Sequence, residues 1–213
     1  MNKSKIKICG ISNIETIDCC IENKVNFYGL IFYKESPRNI SIENAKILLE
    51  YSNNKNISSV GVFVNESNIF INNIIKDLKF DYIQLHGRET NEDIKAIKKD
   101  NQIKIIKVIS IKEKKDFQKT CGYPDTDFFL FDYKPKKNEL PGGNAKTFDW
   151  KLINHISVEK PWFLSGGINI SNINEIKNYS IPYGIDISSG VEVSLGIKNN
   201  DKIYSLMKKY ETK

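Results

Sequence analysis

Two residues of this sequence have side chains that could exchange protons with a substrate, and each stands where a β-strand is expected to end. Cys9 lies two residues after Lys7, so the thiol and the ammonium share one face of a strand. A neighbouring ammonium favours the thiolate and lowers the pKa of a cysteine from about 8.5 toward neutrality, which suits a nucleophile or a general base. Asp132 follows Phe128-Phe129-Leu130-Phe131, where partial desolvation favours the protonated carboxyl of a general acid. An inert packed thiol and a loop-capping carboxylate are the alternatives.

Three further polar residues stand near predicted strand ends. Arg38 follows Pro37 in a rigid loop, and its planar guanidinium suits a carboxylate, although a merely exposed side chain fits as well. His86 ends the fourth predicted strand and either lines a site or packs against its neighbours. Asp186 points to the inner face of the last strand, where it either contacts a substrate or pairs with Lys7.

Two consecutive predicted strands end in loops of small residues. Trp162-Phe163-Leu164 leads into Ser165-Gly166-Gly167, and Ile185-Asp186-Ile187 leads into Ser188-Ser189-Gly190. In a (β/α)₈ barrel the loops after the seventh and eighth strands commonly bind phosphate. Each loop alone is typical of an ordinary turn, but the pair predicts a phosphate site.

Strand-like and helix-like segments alternate along the whole chain, which positions these side chains at one edge of a parallel sheet. Strands are predicted at 5–9, 27–32, 59–64, 81–85, 104–109, 127–131, 162–164 and 183–187. Helices are predicted from Ser12 or Asn13, and over 41–51, 67–78, 91–99, 112–119, 147–153, 171–177 and 201–210. Eight such units favour a closed α/β barrel, the (β/α)₈ or TIM barrel, as a single domain over residues 1–213. An open doubly wound sheet is the alternative, weakened by the absence of a GxGxxG motif after the first strand.

Composition excludes several classes of protein. The cysteines, Cys9, Cys19, Cys20 and Cys121, form no CxxC pair and lie apart from His155, so we expect neither a metal site nor a disulfide framework. The formal charge of +6 comes from lysines interspersed with acidic residues, which predicts no nucleic-acid partner but favours anionic small molecules. We expect no membrane span and no signal peptide, hence a cytoplasmic protein.

Seven motifs, taken in order, resemble those of the phosphoribosylanthranilate isomerase family. They are Lys7-Ile8-Cys9-Gly10-Ile11, Ser36-Pro37-Arg38, Val60-Gly61-Val62-Phe63-Val64-Asn65, Gln84-Leu85-His86-Gly87, Thr147-Phe148-Asp149-Trp150, Ser165-Gly166-Gly167 and Asp186-Ile187-Ser188-Ser189-Gly190-Val191-Glu192. The resemblance implies a (β/α)₈ barrel of tryptophan biosynthesis. Such an enzyme isomerises N-(5-phosphoribosyl)anthranilate to 1-(2-carboxyphenylamino)-1-deoxyribulose 5-phosphate, an Amadori rearrangement without a cofactor.

The resemblance also implies a role for each candidate residue. Asp132 matches the general acid that protonates the furanose oxygen, and Cys9 matches the general base that removes the proton from the sugar C2. Arg38 matches the arginine that binds the anthranilate carboxylate, while His86 lines the mouth of the site. The phosphate loops match Gly143-Asn144-Ala145, Ser165-Gly166-Gly167 and Ser188-Ser189-Gly190.

The sequence departs from the family pattern at two positions near the site. Ala145 stands where the family has glycine, and its methyl group opposes a positive φ and could crowd the phosphate. Tyr133 replaces a small residue and could narrow the mouth. Both departures bear on substrate affinity and neither removes a reactive group.

Other functions remain open for a barrel of this kind. A related enzyme acts on the aminoaldose of histidine biosynthesis, but such barrels use two aspartates where this chain has Cys9 and Asp132. A non-catalytic barrel that binds a phosphorylated ligand is a further alternative. A small phosphorylated aminoaldose is thus the expected partner, and the chain could be a monomer or a homodimer.

Overall fold

Eight parallel strands form a closed barrel in the computed structural model, which describes residues 3–136, 139, 142, 143, 145–154 and 156–211. The strands are β1 (Lys5–Cys9), β2 (Phe27–Phe32), β3 (Ser58–Phe63), β4 (Tyr82–Leu85), β5 (Lys104–Ile111), β6 (Phe128–Tyr133), β7 (Trp162–Leu164) and β8 (Gly184–Ile187). Each strand pairs with the next along the chain, and β8 pairs with β1. The predicted (β/α)₈ barrel is therefore confirmed, and the open sheet is wrong.

Helices connect most of the strands and begin at polar caps. The α-helices are α1 (Ile14–Glu22), α2 (Ile42–Ser52), α3 (Asn68–Asp77), α4 (Asn91–Asp100) and α5 (Asn200–Glu211). Of the two candidate caps for α1, Asn13 is the one used, since its side chain accepts the N–H of Thr16 at 2.8 Å. Ser41 caps α2 as predicted, accepting the N–H of Asn44 at 3.2 Å.

The connections after the fifth, sixth and seventh strands are 3₁₀ helices, at Lys114–Gly122, Trp150–Ile153 and Ile173–Asn178. The helices expected over 112–119, 147–153 and 171–177 are therefore present, as 3₁₀ helices with shifted bounds. In the first segment the buried Asp116 carboxylate accepts the N–H groups of Lys112 and Glu113. In the last, the Asn172 side chain accepts the N–H of Asn169. Local side-chain bonds of this kind compete with the α-helical pattern.

The barrel interior is filled at the N-terminal ends of the strands by a cluster of aromatic rings. Neighbouring ring centroids lie 5.2–6.0 Å apart, mostly at steep angles, as aromatic pairs prefer. The rings are those of Phe27, Tyr82, Phe128, Phe163 and Tyr183. The buried polar residues Gln84 and Asp186 line the interior farther along their strands, toward the opposite, C-terminal ends. The packing thus leaves one end of the barrel for chemistry.

A short antiparallel hairpin that the sequence reading did not predict follows β8. It consists of β9 (Glu192–Ser194) and β10 (Ile197–Lys198), joined through Gly196 at φ +86°. A side chain at Gly196 would lie 2.6 Å from the carbonyl oxygen of Pro37. The hairpin therefore packs closely against the loop that carries Arg38.

None of the helices among the described residues is long and apolar enough to cross a membrane. Within the same residues, no group of three or more histidine, cysteine or acidic side chains is arranged to hold a metal ion.

Candidate active site

The candidate catalytic residues meet at the C-terminal end of the barrel, around one cavity whose lining includes Cys9, His86 and Asp132. Cys9 is the last residue of β1, and His86 directly follows β4. Asp132 lies within β6, opposite Ser110 of β5, and not beyond the strand as the predicted boundary implied. Because the strands are parallel, all their C-terminal ends face the same side, which brings side chains distant in sequence together.

Cys9 is buried beside Lys7, but the expected lowering of its pKa is wrong. Burial raises the pKa of the Cys9 thiol, and the opposing charge of Lys7 compensates only in part. The Lys7 ammonium is fully buried, and it donates to Asp186 Oδ1 at 2.8 Å and to Gln84 Oε1 at 3.0 Å. The Asp186 carboxylate beside Lys7 adds to the effect of burial and further raises the pKa of Cys9.

Asp186 forms the ion pair with Lys7 that was one of its two expected roles. Its second oxygen, Oδ2, accepts a long hydrogen bond of 3.4 Å from the Ser165 hydroxyl. Burial opposes the charge on Lys7, but Asp186 and Cys9 outweigh that effect, so the pKa of Lys7 is raised. The Lys7 ammonium therefore keeps its charge inside the barrel.

Asp132 presents one carboxylate oxygen to the cavity. Its Oδ1 accepts the N–H of Tyr133 at 2.8 Å, while Oδ2 lies 3.5 Å from His86 Nε2. The other ring nitrogen of His86, Nδ1, lies 3.3 Å from Gln84 Nε2. Asp132 is 4% exposed, so its carboxyl is largely desolvated, as its position after an apolar run predicted.

Arg38 is held by a carboxylate of the protein itself. Its Nε donates to Glu192 Oε1 at 2.7 Å and its Nη2 to Glu192 Oε2 at 2.9 Å, a bidentate pair between two buried side chains. The remaining nitrogen, Nη1, faces Gly143, where an added Cβ would lie only 2.3 Å away. Arg38 is therefore not the exposed loop residue that was one expectation.

Glu192 and Lys198 are site residues that the sequence reading missed. Burial alone would raise the pKa of Glu192, but hydrogen bonds from Arg38 and the charge of Lys198 outweigh it and lower the pKa to about 2. Lys198 donates to Glu192 Oε1 at 2.6 Å and to both the carbonyl and the hydroxyl of Ser188 at 3.2 Å. The sequence signal for Glu192 was its position at the end of the last of the seven motifs that resemble the family.

The loops after β6, β7 and β8 surround a second cavity that adjoins the first. Its lining includes Gly143, Ser165, Gly166, Gly167, Ser188 and Ser189 of the predicted phosphate site. Side chains could not replace the glycines, because a Cβ at Gly190 would lie 2.0 Å from the Ile168 carbonyl oxygen. Asn144, also predicted for this site, lies outside the described residues, as does His155.

Of the two residues that depart from the family pattern, Tyr133 lines this second cavity and Ala145 directly precedes the lining residue Lys146. Ala145 has φ +54° despite its methyl group, a left-handed conformation that costs an alanine about 1–2 kcal/mol. Tyr133 lines the cavity beside Lys146. The predicted effect of both on substrate affinity stays a prediction.

Comparisons with known proteins agree on one family. The family model for N-(5'phosphoribosyl)anthranilate (PRA) isomerase matches residues 6–209. The N-(5'-phosphoribosyl)anthranilate isomerase of Paramagnetospirillum magneticum is 36% identical over 206 residues, covering 96% of this chain and 95% of that protein. The crystal structure of phosphoribosyl anthranilate isomerase from Thermotoga maritima superimposes with a TM-score of 0.87 at 31% identity, over 98% of each chain.

One further structural relative carries a ligand. It is a phosphoribosyl anthranilate isomerase solved in complex with reduced 1-(o-carboxyphenylamino)-1-deoxyribulose 5-phosphate. Its TM-score is 0.82 at 29% identity, and the match covers 98% of both chains.

Proposed function

The chain belongs to the N-(5'-phosphoribosyl)anthranilate isomerase family, and from this premise we propose that Asp132 and Cys9 are the acid and base of its reaction. The enzyme of this family converts N-(5-phosphoribosyl)anthranilate to 1-(2-carboxyphenylamino)-1-deoxyribulose 5-phosphate in tryptophan biosynthesis. The conversion moves protons between carbon and oxygen within one molecule, so no electron acceptor is required.

The first step needs an acid at the sugar ring oxygen. The Asp132 carboxyl gives its proton to that oxygen as the bond between the oxygen and C1 breaks, and the anilino nitrogen lone pair forms the C1=N bond. The oxygen available for this transfer is Oδ2, because Oδ1 is occupied by the N–H of Tyr133. The product of the step is an open-chain protonated Schiff base.

The second step needs a base at the sugar C2. The Cys9 thiolate removes the C2 proton, the electron pair forms a C1=C2 bond, and the nitrogen recovers its electrons. The C2 hydroxyl proton of the enolamine then moves to C1 as the C2=O bond forms, which gives the ketose. Cys9 releases the proton it took from C2 and Asp132 is reprotonated, through exchange with solvent, before the next turnover. Burial makes Cys9 a weak acid, and its thiolate is therefore a strong base. The positive Schiff base and Lys7 together favour that thiolate in the reacting complex.

Binding groups at the two ends of the substrate keep its central carbons between Asp132 and Cys9. Arg38 binds the anthranilate carboxylate through Nη1, since Glu192 already occupies Nε and Nη2. The phosphate enters the second cavity, which we assign to the loops containing Gly143, Ser165-Gly166-Gly167 and Ser188-Ser189-Gly190. Fixing both ends converts the proton transfers into positioned intramolecular steps.

The observation that carries this proposal is the shared lining of the two cavities. Asp132, Ser165, Asp186 and Ser188 line both of them, while Cys9 and Arg38 line only the first. A substrate with a carboxylate at one end and a phosphate at the other fits such a pair of connected cavities.

Substitution of each reactive group tests the proposal. We expect Cys9→Ala and Asp132→Asn each to lower kcat by about 10²–10⁴-fold, with circular dichroism and unfolding temperature close to the parent. The matched controls are Cys121→Ala and Asp77→Asn, which change the same groups at exposed positions. The measurement is a spectroscopic assay with freshly prepared phosphoribosylanthranilate, run beside the histidine-pathway aminoaldose. Near-parental activity of either site variant would refute the assigned roles.

A further inference from the structure

Gln84 connects two charged or titratable groups of the site through the two ends of its side-chain amide. It lies on β4, two residues before His86, and is 1% exposed. One end lies 3.0 Å from Lys7 Nζ and the other 3.3 Å from His86 Nδ1. Neither the reaction steps above nor the candidate residues of the sequence assign it a role.

The chemistry of Lys7 fixes which way the amide points. An ammonium has three donors and no acceptor, so the amide end that faces Lys7 must be the carbonyl oxygen. If the amide were reversed, its NH₂ group would face the Lys7 ammonium, so two donors would meet in a buried site. The amide oxygen would also lose its hydrogen bond from Lys7. The NH₂ group of Gln84 therefore faces His86.

The amide orientation in turn fixes the tautomer of His86. The NH₂ group can only donate, so Nδ1 of the imidazole must accept and cannot carry a proton. The ring proton of the neutral histidine then resides on Nε2. That nitrogen faces Asp132 Oδ2 at 3.5 Å, the oxygen that is not bound to the Tyr133 N–H.

We propose that Gln84 is a positioning residue that holds His86 as the Nε2–H tautomer, so that the imidazole donates toward the general acid and does not accept its proton. The inference rests on the proposed role of Asp132. A histidine protonated on Nδ1 would offer the Nε2 lone pair to the carboxyl proton and remove it from the substrate. The Nε2–H tautomer leaves that proton for the ring oxygen and afterwards stabilises the carboxylate.

Nitrogen-15 NMR of the imidazole rings tests the tautomer without any turnover. The chain has two histidines, so in a His155→Gln variant all imidazole signals belong to His86. We expect the nitrogen shifts and long-range couplings of the Nε2–H tautomer for His86 at neutral pH. An Nδ1–H tautomer or an imidazolium in the parent protein would overturn the inference, whatever the outcome for Asp132→Asn.

Two substitutions test whether the tautomer matters for catalysis. A carboxylate at position 84 can only accept a hydrogen bond, so Gln84→Glu should favour a proton on His86 Nδ1. Gln84→Met removes the hydrogen bond to Nδ1, so neither tautomer of the imidazole is favoured. We expect kcat to fall about tenfold or more in both, with KM within about threefold, while Gln118→Glu at an exposed position changes neither. Unchanged kcat in a folded Gln84 variant whose tautomer has shifted would refute the positioning role. Failure of the acid role itself would appear separately, as turnover retained by Asp132→Asn.

Discussion

Replacing Glu192 with glutamine should destabilise the protein by an amount that depends on pH. The Glu192 carboxylate accepts four hydrogen bonds, from Arg38 Nε and Nη2, Lys198 Nζ and the N–H of Gly196. Both oxygens of the Glu192 carboxylate accept hydrogen bonds. In glutamine an NH₂ group replaces one of these oxygens, and it would face N–H donors there. Arg38 and Lys198 would then remain buried without a counter-charge, the arrangement in which breaking a buried ion pair is most costly.

The depressed pKa of Glu192 gives the size of the effect. The pKa falls from 4.5 to about 2 on folding, which corresponds to about 3 kcal/mol at about 1.4 kcal/mol per unit. For a chain of this length, such a loss lowers the unfolding temperature by about 6–12 °C. Because the folded pKa is the lower one, this stabilisation is complete above pH 4.5 and disappears as the pH falls toward about 2.

The assay is urea unfolding of the parent and Glu192→Gln proteins between pH 7 and pH 3. We expect the difference in unfolding free energy to be about 3 kcal/mol at pH 7 and to shrink steadily below pH 4.5, since a protonated Glu192 resembles glutamine. Glu159→Gln, at an exposed position, should leave the unfolding free energy unchanged within about 0.5 kcal/mol. Equal stability of parent and variant at pH 7, or a difference independent of pH, would refute the reasoning.

Two further substitutions test backbone features of the site. Ala145→Gly should stabilise the protein by about 0.5–1 kcal/mol in urea unfolding and tighten binding of inorganic phosphate, because glycine adopts φ +54° without strain; a less stable variant would show that the methyl group contributes contacts instead. Gly29→Ala would place a Cβ 2.7 Å from Cys9 Sγ, and we expect kcat to fall about a hundredfold through displacement of the sulfur. Gly122→Ala is its control, since an added Cβ there has no neighbour within 4 Å, and parental kcat in Gly29→Ala would contradict the crowding.

The barrel and the positions of Cys9 and Asp132 at its strand ends could be predicted because they depend on local pattern. The alternation of strands and helices predicts a parallel sheet, and the bounds of β1, β2 and β7 follow directly from it. A residue at the C-terminal end of such a strand, such as Cys9 or Asp132, must lie at the C-terminal end of the barrel.

The connections between these residues could not be predicted, because they depend on tertiary packing. Lys198 reaches Glu192 because the chain turns back after β9 through Gly196, and no periodicity indicates that turn. The predicted lowering of the Cys9 pKa was wrong for a related reason. Lys7, whose charge was expected to lower it, has its partners Gln84 and Asp186 on β4 and β8. The approach of Gln84 to His86 needed no tertiary information, because a residue two positions before His86 shares its face of the strand, but the sequence analysis assigned Gln84 no role.

The aromatic cluster at the N-terminal ends of the strands has a consequence for the traffic of ligands. Because these rings fill the interior at that end, substrate and product use a single entrance and cannot follow one another through the barrel. Each product molecule must leave before the next substrate binds, and under the binding roles proposed above the two compete for Arg38 and for the same phosphate loops. Accumulated product should therefore slow the enzyme competitively.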